Sequence, residues 1–149
     1  MSIKAGDKAP AFTGKDQDGN PIKLSDFKGK KVVLYFYPND DTPGCTAEAC
    51  NLRDNYSKFK KANYVILGVS ANDEKSHRKF IEKFSLPFPL IADTDKTINE
   101  LYGVWREKNT FGKTYMGTVR TTFIIDENGK IEEVIEKVNN EDHTAQILK

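Results

Sequence analysis

Residues 31–37, KVVLYFY, constrain the fold more than any other stretch of this chain. β-Branched and aromatic side chains follow one another there with almost no polar interruption. Such a strand is covered on both faces, which places it at the centre of a sheet. Pro38 ends it, and the loop NDDTPG follows. Thr42 can cap a helix, and Pro43 suits the first helical position. The helix is expected from about residue 45 to residue 61, with an apolar stripe of Cys45, Ala49, Leu52, Tyr56 and Phe59 at helical spacing.

The remaining elements build outward from that unit. Residues 64–70, YVILGVS, read as a second buried strand, 73–84 as a helix stopped near Pro87, and 89–92 as a short strand. Residues 96–102 read as a short helix opened by Asp95. Strands at 119–126 and 131–136 flank the turn Glu127-Asn128-Gly129-Lys130, and 141–148 reads as a last helix. Ahead of the central strand, Asp18-Gly19-Asn20-Pro21 is a turn between two short edge strands, and 25–28 is a single helical turn. Strands alternating with helices and ending in a hairpin predict an α/β fold, a mixed central sheet flanked by helices. With 149 residues, no repeat and no linker, residues 1–149 form one expected domain, large enough to fold without a metal or disulfide staple.

A formal net charge of +1 gives no long-range reason to expect nucleic acid or an anionic membrane as partner. The longest strongly apolar run, 32–37, falls far short of the roughly 20 residues that span a bilayer. The first residues, MSIKAGDKAPAF, hold no apolar stretch of signal-peptide length, so a cytoplasmic location is expected. Two cysteines and two distant histidines do not make a zinc-ligand spacing, and neither a metal nor a cofactor enters the reading.

Cys45 carries the chemistry. It stands where a central strand gives way to a helix, and a helix N-terminus offers free N–H groups and a positive dipole end, both favouring a thiolate. The competing reading is a small buried hydrophobe on the apolar stripe. Cys50 lies five residues on. In an intact helix that spacing is about 7.5 Å of rise and about 140° of rotation, roughly 8.6 Å between Cα atoms. A disulfide needs no more than about 7 Å, so the pair can bridge only if the first turns unwind. Otherwise Cys50 is an idle thiol on a half-exposed face.

The residues Pro38-Asn39-Asp40-Asp41-Thr42-Pro43-Gly44-Cys45, with Cys50 following, resemble the active-site motif of the peroxiredoxins. The spacing of the two cysteines resembles the bacterioferritin comigratory protein (peroxiredoxin Q) subfamily. The resemblance extends through Gly6-Asp7-Lys8-Ala9-Pro10-Ala11-Phe12, through 103–108 and 112–115, and from Arg120 to Asp126. It implies a thioredoxin-like fold and a peroxidase acting on hydrogen peroxide and organic hydroperoxides. It also implies roles. Cys45 would attack the O–O bond and become a sulfenic acid. Thr42 would hydrogen-bond thiolate and peroxide, Arg120 would stabilise the developing charge, and Pro38 would shield the site. Cys50 would condense with the sulfenic acid, thioredoxin or a similar dithiol would reduce the disulfide, and a monomer would suffice.

Pattern alone would not select Arg120, which reads as a lone arginine in a strand. Glu48 reads equally as a helper of Arg120 or as an ordinary carboxylate near a helix N-terminus. His77 and His143 read as solvent-facing helix residues, Lys58, Lys60 and Lys61 as a solvated face, and Trp105, Phe111, Tyr115 and Met116 as ordinary packing. A thiol–disulfide oxidoreductase of the same fold is the alternative function. Such reductases use Cys-x-x-Cys, whereas here four residues separate the two cysteines.

Overall fold

The run 31–37 becomes β3 (Lys31–Phe36), the middle strand of a five-stranded sheet. A computed structural model describes residues 3–149. The strands are β1 (Thr13–Lys15), β2 (Pro21–Lys23), β3, β4 (Tyr64–Ser70), β5 (Leu90–Ala92), β6 (Trp105–Thr110), β7 (Lys113–Thr118), β8 (Thr121–Ile125) and β9 (Ile131–Ile135). The helices are α1 (Pro43–Asp54), α2 (Tyr56–Lys61), α3 (Glu74–Phe84), α4 (Thr97–Leu101) and α5 (His143–Ile147), with a 3-10 turn at Leu24–Phe27. The central sheet runs β5-β4-β3-β8-β9. β4 pairs parallel with β3 and with β5, while β8 lies antiparallel to both β3 and β9.

Alternation along β3 explains why its sequence is apolar throughout. Val32, Leu34 and Phe36 enter one apolar cluster with Phe12, Leu67, Ile91, Tyr102 and Phe123. Val33, Tyr35 and, just past the strand, Tyr37 enter the other, with Cys45, Ala49, Leu52, Phe59, Phe80 and Ile124. Each large apolar side chain buried this way stabilises the fold by roughly 1.5–3 kcal/mol. At Gly68 a Cβ would stand 2.6 Å from Leu90 Cδ2 and 2.9 Å from Tyr35 Cζ, so only glycine lets the Tyr35 ring lie against β4.

Three expectations need correction. The single helix over 45–61 is two helices, broken at Asn55, whose side-chain Nδ2 donates to the Asn51 carbonyl at 2.9 Å. Such side-chain bonding competes with the helical ladder. Residues 105–118 form the β6–β7 hairpin, which turns through Phe111 and Gly112, both at positive φ. Phe111, Tyr115 and Met116 on it are not core residues: they are 101%, 46% and 53% exposed. Trp105 is half-buried, with Lys96 Nζ 5.7 Å from its ring centroid. The strand expected over 119–126 begins only at Thr121, so Arg120 lies in the two-residue link from β7. Among the described residues no helix is long and apolar enough to cross a membrane.

Candidate active site

β3 and β8 bring the site together. Phe36 at the end of β3 pairs with Thr121 at the start of β8. The antiparallel register therefore delivers Arg120 to the sheet end from which the chain leaves toward Cys45.

The loop between β3 and α1 is held by buried polar contacts. Asp40, almost fully buried, accepts from Tyr37 Oη at 2.6 Å and from Ser76 Oγ at 2.7 Å. His77 Nδ1 lies 2.7 Å from the same carboxylate, and its Nε2 lies 3.0 Å from the Ile91 carbonyl. His77 is fully buried, which corrects the solvent-facing expectation. Both its nitrogens meet oxygen acceptors, so it ties the loop to α3 and β5 at once. Asp40 N–H donates to Asn72 Oδ1 at 2.9 Å, and Lys83 donates to Asp41 at 2.8 Å. Pro38, at the loop's start, is half-buried.

Thr42 is extended, as the residue before a proline must be, and Pro43 opens α1 as expected. The Thr42 side chain does not cap the helix. Its hydroxyl donates to the Asn39 carbonyl at 3.0 Å. The Thr42 carbonyl instead accepts the first helical bond, from Thr46 N–H at 2.8 Å.

Cys45, in the first turn of α1, is only 1% exposed and sits within the apolar cluster. Burial alone would suit an inert thiol, but a guanidinium is aimed at this one: Arg120 Nη2 donates to Cys45 Sγ at 3.1 Å, and Arg120 Nη1 donates to Glu48 Oε1 at 2.6 Å. Desolvating a guanidinium is costly and is offset only by charged or strongly accepting partners. Burial works against the charge on Arg120, but Glu48 and Cys45 outweigh it and hold its pKa above the ordinary value.

Glu48 is completely buried, one turn beyond Cys45. Burial pushes its pKa up to about 7 against the pull of Arg120. Its Oε2 has no hydrogen-bond partner and lies 3.5 Å from Nε2 of His143. His143 is likewise completely buried, a second correction. Gln146 Oε1 accepts from Asn139 N–H, which identifies it as the oxygen, so His143 Nδ1 at 2.7 Å from it carries the proton. His143 Nε2 then accepts from Thr122 Oγ1 at 2.8 Å. Burial lowers the His143 pKa, so the ring facing Glu48 is neutral and the two do not form an ion pair.

Cys50 is free and half-buried, on the same intact helix as Cys45, so the two cannot bridge without unwinding. Burial raises the Cys50 pKa, with Arg53 pulling it down and Asp54 pushing it up.

Sequence reasoning missed His143 and also Asn140, whose Nδ2 would stand 2.9 Å from a Cβ placed at Gly44. The only hint was that both fall in a segment ending in apolar Ile147 and Leu148. A cleft of about 710 Å³ lined by residues such as Lys15, Arg78 and Asp93 contains none of the candidate residues. Among the described residues, no three His, Cys, Asp or Glu side chains gather as metal ligands.

Residues 5–134 match the AhpC/TSA family. Peroxiredoxin Bcp of Bacillus subtilis strain 168 is 47% identical over 148 residues, 99% of this chain and 94% of that protein. A cysteine mutant of PrxQ from Xylella fastidiosa superposes with a TM-score of 0.93 at 30% identity, covering 99% of this chain and 94% of the other. The bacterioferritin comigratory protein of Xanthomonas campestris, described for its alkyl peroxide reduction activity, superposes with a TM-score of 0.89 at 34% identity, covering 97% and 94%. These likenesses bear out the thioredoxin-like fold.

Proposed function

The chain belongs to the AhpC/TSA family of peroxiredoxins, and from that premise we propose that Cys45 is its peroxidatic cysteine and Cys50 its resolving cysteine. The protein is a thiol-dependent peroxidase. The single observation that carries the residue assignment is the Arg120 guanidinium 3.1 Å from Cys45 Sγ.

In this reading the Cys45 thiolate attacks one oxygen of a hydroperoxide. The S–O bond forms as the O–O bond breaks, and the departing alkoxide or hydroxide takes a proton to leave as alcohol or water. Arg120 stabilises both the thiolate and the charge that grows on the leaving oxygen, in a site already closed to bulk water. The Thr42 hydroxyl, turned from Asn39 toward the site, would add a second donor. Pro38 would keep water from the sulfur. The Cys45 sulfenic acid and the Cys50 thiol then condense to a disulfide and one water. A dithiol reductant, thioredoxin or a protein like it, would restore both thiols by exchange.

With both cysteines on one helix, a monomer in the cytoplasm, where thiol reductants keep cysteines reduced, is sufficient for this cycle. The test is peroxide consumption coupled to a dithiol reductant. The wild-type protein turns over, and Cys45→Ser does not. Retained turnover in that variant would remove Cys45 from the role.

A further inference from the structure

Under the reading just given, α1 must unwind before Cys45 and Cys50 can meet, so whatever holds α1 folded governs that step. The C-terminal segment holds it along one face. Asn51, next to Cys50, commits its whole carboxamide there: Oδ1 accepts from Thr144 N–H at 2.8 Å and from Thr144 Oγ1 at 2.7 Å, while Nδ2 donates to the Glu141 carbonyl at 3.1 Å. One turn earlier, Glu48 meets His143. Earlier still, Gly44 leaves room for Asn140, whose carboxamide oxygen is buried without a partner. Positions 44, 48 and 51 are spaced four and three apart, so they form one helix face. Each lies within or beside the stretch that must unwind.

The segment in turn depends on that dock. α5 has only five residues, too few to be helical alone. It is ordered by Asp142, whose side chain accepts from Ala145 N–H, by Gln146, and by Ile147 buried in the cluster that also holds Cys45 and Leu52.

We propose that Asn51 is a positioning residue that clasps the C-terminal segment 140–148 onto α1, so that docking of α5 and folding of the peroxidatic helix are one equilibrium. Disulfide formation then releases the C-terminal segment, and its release favours disulfide formation, because linked equilibria act in both directions.

The test uses hydrogen exchange and rapid kinetics on the full chain. In reduced Asn51→Ala, exchange at the amides of 141–148 and of 44–50 rises together by about tenfold, as expected for the loss of one or two hydrogen bonds. A rise at 141–148 with 44–50 unchanged overturns the coupling. After one equivalent of hydrogen peroxide, the variant loses rate in the attack by Cys45 and gains rate in closure of the disulfide. Equal slowing of both, as a merely weakened fold gives, also overturns it. Should Asn51→Ala fail to fold, the wild-type disulfide made with diamide serves instead. Loss of protection at 141–148 in that form supports the clasp, and full protection there refutes it. Diamide closes the disulfide without peroxide, so this arm stands apart from the peroxidase reading.

Discussion

Arg120 Nη2 donates to Cys45 Sγ at 3.1 Å across 75 residues of sequence, while the other arm of the same guanidinium holds Glu48 at 2.6 Å. One cation thus serves two acidic groups on successive turns of α1. Removing it takes away a donor aimed at the Cys45 sulfur and leaves Glu48 buried with no counter-charge. Arg120→Ala lowers the second-order rate constant with hydrogen peroxide by about 10²–10³-fold, the usual loss for one preorganised donor. Arg120→Lys recovers little, because a point charge cannot reach both partners as a planar fork does. Stopped-flow measurement of the rate constant checks this, and an alanine variant as fast as the wild type contradicts it.

Cys50→Ser separates the two halves of the cycle. The variant consumes about one equivalent of peroxide and stops at a Cys45 sulfenic acid, which further peroxide carries up the oxidation ladder. Mass spectrometry with a sulfenic-acid trap reads the product. Sustained turnover with a dithiol protein would show that another thiol or reductant resolves Cys45.

Glu48 makes the folded active-site helix sensitive to pH. Its pKa is raised by burial to about 7 from an ordinary 4.5, so between those values the folded state binds the proton and the unwound state does not. The stabilisation is therefore fully present below about 4.5 and is lost as pH rises through 7, amounting to at most roughly 3 kcal/mol. Exchange at α1 amides, corrected for the intrinsic pH dependence of exchange, should accelerate from pH 5 to pH 8. Glu48→Gln should flatten that dependence. An equally steep dependence in the glutamine variant would assign the effect elsewhere.

His77 matters to stability through buried hydrogen bonds. His77→Ala leaves the Asp40 carboxylate with Tyr37 and Ser76 as side-chain donors and removes its third partner, along with the tie to the Ile91 carbonyl. Losing these buried hydrogen bonds costs about 2–3 kcal/mol, or a drop in Tm of roughly 5–10 °C for a chain of this length. Calorimetry checks it, and a change of only a degree or two would mean that solvent reaches Asp40 and replaces the lost partner.

Much of this was legible in the sequence because it follows from local chemistry. The continuous apolar run at 31–37 could only be a central strand, and Pro43 after Thr42 marked the helix that carries Cys45. Periodicity could not give contacts between distant elements. Arg120 reaches Cys45 only through the β3–β8 register, which no pattern near residue 120 encodes. His77 and His143 lie on helices rich in polar residues and looked solvated. Each is buried because a partner from elsewhere, Asp40 for one and Thr122 for the other, satisfies its ring. The β6–β7 hairpin escaped notice because it is exposed, so its sequence lacks the alternation that a buried face imposes.

The most direct test of the central claim is intact mass and free-thiol count on the reduced protein, before and after one equivalent of hydrogen peroxide. Rapid loss of both thiols, with a mass lower by two hydrogens and a Cys45–Cys50 crosslink on peptide mapping, is the predicted result. Retention of both thiols at that dose would contradict it and leave a peroxiredoxin fold without the chemistry assigned to these residues.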